Sequence, residues 1–273
     1  MTWWAVDVET APDRREMVGA WLVARTGQAI EERDDGTLVT FAESEEGADE
    51  LIEALGREQG ARATRRPLES VDWSVRWRDG IMPRRFGRLT VTPSWLPAPD
   101  DGATVVLDPE SAFGSGEHGS TRAALALLER HLRPGDRVID LGSGSGILAI
   151  AAVKLGAARA TGVEVDDDAN DIARVNARRN NVSTEVEFLT GDAGDLAPLL
   201  GPADLLLSNI LRNVNTQLLP AIASALRPAG LAIFSGMEVA EAPLFRPELD
   251  RGGFIVVDEV TDAGWWAVTA RHG

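Results

Sequence analysis

In Val138-Ile139-Asp140-Leu141-Gly142-Ser143-Gly144-Ser145-Gly146 an apolar strand ends in an acidic residue, a glycine-rich turn follows, and a helix begins near Ile147. Glycine lets the backbone turn sharply and lets a ligand lie against bare main chain. Amides at the start of the following helix point at that ligand. Dinucleotide folds space their glycines as G-x-G-x-x-G. Counted from Gly142, the sixth position is Ile147, so the pattern here is G-x-G-x-G, led by Asp140. Pyrophosphate needs the extra turn of amides that this spacing omits. A sulfonium nucleoside such as S-adenosylmethionine has no phosphate to cradle; it needs room for a ribose and a methionine tail over Gly142 and Gly144. A tight strand-to-helix turn with no ligand would use the same residues, so the loop alone leaves both readings open.

Ala160-Thr161-Gly162-Val163-Glu164-Val165 reads as a second strand, closed by Glu164. In doubly wound folds an acid at the end of the second strand, about 20 residues after the glycine loop, accepts hydrogen bonds from the ribose hydroxyls. Asp166, Asp167 and Asp168 follow at once, where a helix would start, and their charge suits a helix N-terminus. Position rather than charge therefore selects Glu164 as the ribose acceptor.

From Thr121 the periodicity alternates. Helices are predicted over 121–131, 147–154, 169–179 and 218–226, with strands over 137–141, 160–165, 185–189, 204–208 and 231–235. Such alternation means a mostly parallel sheet with helices on both faces. The chain closes differently: 254–260 and 265–271 are joined by Thr261-Asp262-Ala263-Gly264, and so short a turn joins only antiparallel strands. A parallel sheet ending in an antiparallel hairpin resembles the class I methyltransferase core. Ligands lie beyond the carboxyl ends of such strands. Asp192 stands there to hold an adenine amino group, with the Ala193 amide beside the ring; a plain turn aspartate is the alternative. Asn209 follows apolar Leu205-Leu206-Leu207, and a polar amide at a buried strand end must find partners. Its oxygen could accept from a substrate amine and aim the nitrogen lone pair, or it could simply cap the turn.

Residues 1–66 read as a separate unit. A strand over 3–9, a helix over 12–26, strands over 29–33 and 37–42 around Asp34-Asp35-Gly36, a helix opened by Ser44, and a closing strand over 61–67 give the order of a ferredoxin-like module. Residues 67–83 form a connector in which Trp73, Trp77 and Met82 are expected to pack, and 84–273 form the larger domain. The chain has 273 residues and no cysteine, which excludes disulfides, thiolate metal sites and a cysteine nucleophile. No secretory signal or membrane-length apolar run is present, so the expected setting is cytoplasmic. The net charge of −16 argues against a nucleic-acid surface and permits attraction to a basic protein.

Several segments then converge on one family. Asp72-Trp73, Trp77-Arg78-Asp79, Pro83-Arg84-Arg85-Phe86-Gly87, Leu107-Asp108-Pro109, Ala112-Phe113-Gly114-Ser115-Gly116-Glu117-His118, Gly146-Ile147-Leu148-Ala149-Ile150-Ala151-Ala152 and Ser208-Asn209-Ile210-Leu211 resemble the methyltransferases of the eleventh large-subunit ribosomal protein over nearly the whole length. The resemblance implies S-adenosylmethionine as cofactor, lysine side chains and the N-terminal amine of that ribosomal protein as acceptors, and a first domain that holds the substrate. It implies cofactor contacts at Thr121, Gly142, Glu164 and Asn209, with Phe113 near the cofactor and substrate entrance. A monomer acting on protein, with no membrane or direct nucleic-acid partner, is expected. The chain departs from the family pattern at Glu117 and Gly119 (usually threonine and proline), Glu164 (aspartate), Ser143 (cysteine) and Glu110 (glycine). Glu117 is expected beside the amine channel, where a carboxylate would attract a cationic lysine or mark a different substrate. His118 is expected to be structural. The remaining alternatives are a methyltransferase for another protein lysine or a small molecule, and a binding module that keeps the pocket without turnover.

Overall fold

The computed structural model describes residues 3–26, 30–33, 35–67, 82–97, 102–108 and 116–273. The chain divides into two compact units, Met1–Gly80 and Ile81–Gly273. Most of the expected connector, with Trp73 and Trp77, lies outside the described residues. Met82, expected to pack, is 60% exposed.

In the first unit, β1 (Trp4–Glu9), α1 (Arg15–Thr26), β2 (Glu31–Glu32), β3 (Leu38–Ala42), α2 (Glu45–Gln59) and β4 (Arg62–Pro67) follow the expected order. The sheet order is β2-β3-β1-β4, antiparallel throughout, which is the ferredoxin-like arrangement. Pro12 opens a short 3-10 turn ahead of α1, a position where its missing N–H costs nothing. Ser44 Oγ accepts from the Gly47 amide at 3.0 Å and caps α2, and Gly60 at φ 61° ends it. Val6 and Val8 on β1 pack against Val18 and Leu22 of α1 and Leu51 and Leu55 of α2, one core for one sheet face.

The second unit begins with a small sheet of β5 (Arg84–Phe86), β6 (Leu89–Thr92) and β7 (Ala103–Val106). Then come α3 (Gly119–His131), β8 (Arg137–Leu141), α4 (Ile147–Lys154), β9 (Arg159–Glu164), α5 (Asp167–Arg179), β10 (Val186–Thr190), α6 (Ala193–Leu200), β11 (Ala203–Asn209), α7 (Arg212–Ala225), β12 (Leu226–Glu238), α8 (Ala242–Arg251), β13 (Phe254–Asp262) and β14 (Trp265–His272). The seven strands lie in the order β10-β9-β8-β11-β12-β14-β13. All neighbouring pairs are parallel except those of β14, which runs antiparallel to β12 and β13. This is the class I methyltransferase topology. The run Leu205-Leu206-Leu207 is apolar at every position because the sheet is covered on both faces. Leu205 and Leu207 join the core with Leu125 and Ile150, and Leu206 joins the opposite core with Phe234 and Trp266.

Helices α6 and α8 are absent from the sequence reading, and α7 begins six residues before its expected start at 218. Each carries an internal proline (Pro198, Pro247 and Pro220), the residue that most strongly argues against a helix interior. Edge-on packing of Phe245 against Phe234 (5.4 Å between centroids) and Trp266 (6.3 Å) holds α8 on the sheet.

The chain leaves β8 toward β9 and β10 on one side, then returns to β11 and β12 on the other. The direction of winding thus switches between β8 and β11, and a crevice opens outside their carboxyl ends.

Candidate active site

The glycine loop leaves β8 with Gly142, Gly144 and Gly146 at φ of 68°, 50° and 80°, a region that residues with a Cβ rarely enter. The Gly142 and Ser143 amides donate to Val163 O at 2.8 and 3.2 Å, which ties the loop to β9. Glu164, at the end of β9, organises the crevice further. Its Oε2 accepts from the Gly144 amide at 3.1 Å, and its Oε1 accepts from the Val165 and Asp166 amides at 2.8 and 3.3 Å. A carboxylate has about four lone-pair sites, so room remains for hydroxyl donors. The acids that follow are used as expected: Asp166 Oδ1 caps α5 by accepting from the Asp168 amide at 2.9 Å.

Beneath the loop, Asp140 is fully buried. Its Oδ2 accepts from the Ala149 amide at 3.1 Å, and its Oδ1 is buried with no partner among the described residues. Burial pushes this carboxyl up to about 8, against the Ala149 hydrogen bond, and the negative Glu164 adds to the rise. Free aspartate ionises near pH ~3.9, so between about pH 4 and 8 the folded chain holds a proton that the unfolded chain has lost. This contribution to stability is complete below about pH 4 and disappears as the pH approaches 8. Asp140→Asn is therefore expected to flatten the fall of unfolding free energy across that window, by up to about 1.4 kcal/mol per pH unit. Urea titrations at several pH values test this; parallel slopes for the two proteins would contradict it.

A cavity of about 580 Å³ occupies the crevice. That volume suits a single nucleoside-sized ligand. Gly142 and Gly144, Val163 to Val165, Gly191 to Ala193 and Asn209 to Leu211 form its strand-end walls. Val214 and Leu218 of α7, His118 and Ser120 at the start of α3, Gly236 and Trp265 complete it. Val165 and Leu211 are 69% and 65% exposed, an apolar surface suited to a flat ring.

Of the residues singled out from the sequence, Gly142, Gly144, Glu164, Asp192 and Asn209 line this one cavity. Asp192 uses Oδ1 to cap α6, accepting from the Gly194 and Asp195 amides at 2.7 and 3.3 Å. Asn209 Nδ2 donates to Thr121 Oγ1 at 3.3 Å, while Asn209 Oδ1 is buried with no partner among the described residues. Thr121 is fully buried behind Asn209 and is not among the cavity residues. Phe113 lies outside the described residues.

Glu117 is also placed away from the cavity. Arg84 Nε donates to its Oε1 at 2.9 Å and Arg84 Nη2 contacts its Oε2, and the pair lines a separate small crevice with Met82 and Val91. Gly119 has a steric reason to be glycine. A Cβ there would stand 2.6 Å from Asp262 O and 2.7 Å from Trp265 Cδ1, so the bare backbone lets the final hairpin close on the start of α3. Arg122 reinforces that closure through a two-point contact with Asp262 at 2.8 and 2.6 Å, and this pairing lowers the Asp262 carboxyl.

His118 and Trp265 are wall residues that sequence reading did not assign to the site. Their rings stand 4.3 Å apart at 58°, and His118 Nδ1 shares a hydrogen bond with Ser120 Oγ at 2.7 Å. Nothing local marks a tryptophan in a C-terminal hairpin as a partner of a histidine so far upstream.

The family model described as Ribosomal protein L11 methyltransferase (PrmA) matches residues 3–273. The ribosomal protein L11 methyltransferase of Pelotomaculum thermopropionicum is 36% identical over 271 residues, covering 98% of this chain and 83% of its own. That of Deinococcus radiodurans is 35% identical over 262 residues, with 92% of each chain covered. Among solved structures, the ribosomal protein L11 methylase of Lactobacillus delbrueckii subsp. bulgaricus superposes with a TM-score of 0.63 at 30% identity, covering 70% of this chain and 99% of that one.

Proposed function

The chain belongs to the ribosomal protein L11 methyltransferase family, and from that membership and the cavity geometry we propose that it transfers methyl groups from S-adenosylmethionine to lysine side chains and the N-terminal amine of ribosomal protein L11. The observation that carries this reading is the Asn209 Oδ1 at the end of β11, buried and without a partner among the described residues. A buried polar atom without a partner awaits one. Asn209 lines a cavity that the bare glycine loop and the Glu164 carboxylate also line.

When bound, S-adenosylmethionine supplies a methyl group already activated on a sulfonium. Glu164 would hold the ribose hydroxyls, Gly142 and Gly144 would let the methionine tail lie against main chain, and Asp192 with Ala193 would meet the adenine edge beside Val165 and Leu218. These residues suit a phosphate-free nucleoside better than a pyrophosphate, since the extra glycine-spaced turn is missing. Asn209 Oδ1 accepts a hydrogen bond from the substrate amine and turns the nitrogen lone pair toward the methyl. Thr121 holds the Asn209 amide in that orientation. A free lysine amine has a pKa of about 10.4, and removal from water favours its neutral, nucleophilic form. An amide is no base, so the released proton departs to water. Fixing the reacting atoms in place contributes about 7–11 kcal/mol of barrier reduction in well-aligned cases.

The first unit takes the ribosomal protein in this reading. The net charge of −16 favours a basic protein partner over nucleic acid, and the enzyme acts as a cytoplasmic monomer. Incubation of the full chain with S-adenosylmethionine and purified L11, read by mass spectrometry, tests the proposal. Methyl increments on lysine and N-terminal amines are expected. Unmodified L11 alongside methylation of another protein or a small molecule would contradict it.

A further inference from the structure

Asn215 sits in the first turn of α7, is completely buried, and does not line the cavity. Its Nδ2 donates to Ile210 O at 3.0 Å and to Ser235 O at 3.1 Å, and its Oδ1 accepts from Ser208 Oγ at 2.6 Å. Two carbonyl partners can be met only by the NH₂ end, so the hydrogen bonds themselves fix the orientation of this amide. The residues it grips, Ser208 and Ile210, are the two chain neighbours of Asn209. Ser235 lies where β12 slips register against β14, between Phe234 and Met237, next to cavity-lining Gly236.

A second set of bonds approaches from α3. Ser235 Oγ donates to Ser120 O at 2.9 Å, and Asn209 Nδ2 donates to Thr121 Oγ1. Together these contacts form a ring from Thr121 to Asn209, along the chain to Ile210, through Asn215 to Ser235, and back to Ser120. Thr121 holds the side chain of Asn209, and Asn215 holds the Ser208 hydroxyl on one side of it and the Ile210 carbonyl on the other. Among the described residues, the Asn209 Oδ1 is left buried without a partner.

We propose that Asn215 is a positioning residue for methyl transfer: it sets the direction of Asn209 Oδ1 by clamping Ser208, Ile210 and Ser235, and touches neither cofactor nor substrate. This rests on the reading of Asn209 as the residue that orients the amine. Misplacing a reacting group by about 1 Å can cost on the order of 100-fold in rate, so small backbone shifts at Ile210 have large effects.

The test uses the full chain with S-adenosylmethionine and purified L11. Asn215→Leu keeps the branched shape and removes all three bonds; it is expected to lower kcat by roughly 10–100-fold. Cofactor Kd, measured by calorimetry, should stay within about threefold, because the glycine loop and Glu164 lie outside the ring. Ser208→Ala removes only the accepted bond and should cost less than about threefold in kcat. Amide exchange of the 209–211 segment should rise in Asn215→Leu and not in Ser208→Ala. Asn215→Ser leaves space for water to serve the two carbonyls and keeps the test available if the leucine variant does not fold; it should lose kcat in the same sense. In the Asn209→Ala background, Asn215→Leu should add no further loss.

Wild-type kcat in both Asn215 variants would overturn the assignment. So would a multiplicative loss in the double variant, or a fall in kcat matched by an equal loss of cofactor affinity. If Asn209→Ala alone keeps full turnover, the amine-orienting reading of Asn209 fails first and the role of Asn215 falls with it.

Discussion

Asn209→Ala is expected to lower the turnover of methyl transfer by about 100-fold or more while leaving cofactor affinity within about threefold of the parent. The side chain has one outward task available to it. Its Nδ2 is committed to Thr121 Oγ1, and its Oδ1 is buried without a partner among the described residues. Truncation removes the acceptor that would orient the amine, and it touches neither the glycine loop nor Glu164. An interaction made chiefly with the reacting nitrogen lowers kcat and kcat/KM together. Steady-state kinetics paired with calorimetry separates this from a cofactor role: equal losses in kcat and in affinity would place Asn209 in the cofactor shell alone.

The complementary result is expected at Glu164. Glu164→Ala should weaken S-adenosylmethionine binding by roughly 10–100-fold, the loss of a charge-assisted hydrogen bond worth about 1.5–3 kcal/mol. The carboxylate has two functions, since it accepts from the Gly144, Val165 and Asp166 amides as well as facing the cavity. Loss of the acid therefore also releases the glycine loop that lines the same cavity. Calorimetric affinity equal to that of the parent would reject the ribose role. The departure from aspartate at this position moves the carboxyl by about one methylene, and the three amides explain how the longer side chain remains fixed.

The two substitutions divide the site along a line that was partly visible in the primary structure. The glycine spacing after Asp140, the acid closing β9, the alternation of elements and the short turn before β14 all express local rules, and each stands where those rules place it. Asn209 was legible because a polar residue ends a run of three leucines. Contacts across long sequence separations were not. Arg84 draws the Glu117 carboxylate into a separate crevice, a contact that the family resemblance, which suggested a place beside the amine channel, does not show. His118 meets Trp265 only because the final hairpin folds back against α3. Asn215 reads as one more polar residue among Asn213, Asn215 and Thr216, and three internal prolines conceal parts of the helices around it. Such residues are defined by what tertiary packing brings to them, which no pattern of period or propensity encodes.

The central claim is that the crevice between β8, β9 and β11 seats an adenosyl sulfur compound with its sulfur turned toward Asn209. A crystal structure of the chain with S-adenosylhomocysteine tests it most directly. The ribose hydroxyls should lie on Glu164, the adenine against Val165 and Leu218, and the sulfur on the side of Asn209 Oδ1. A ligand bound elsewhere, or one whose sulfur faces away from Asn209, would contradict the account.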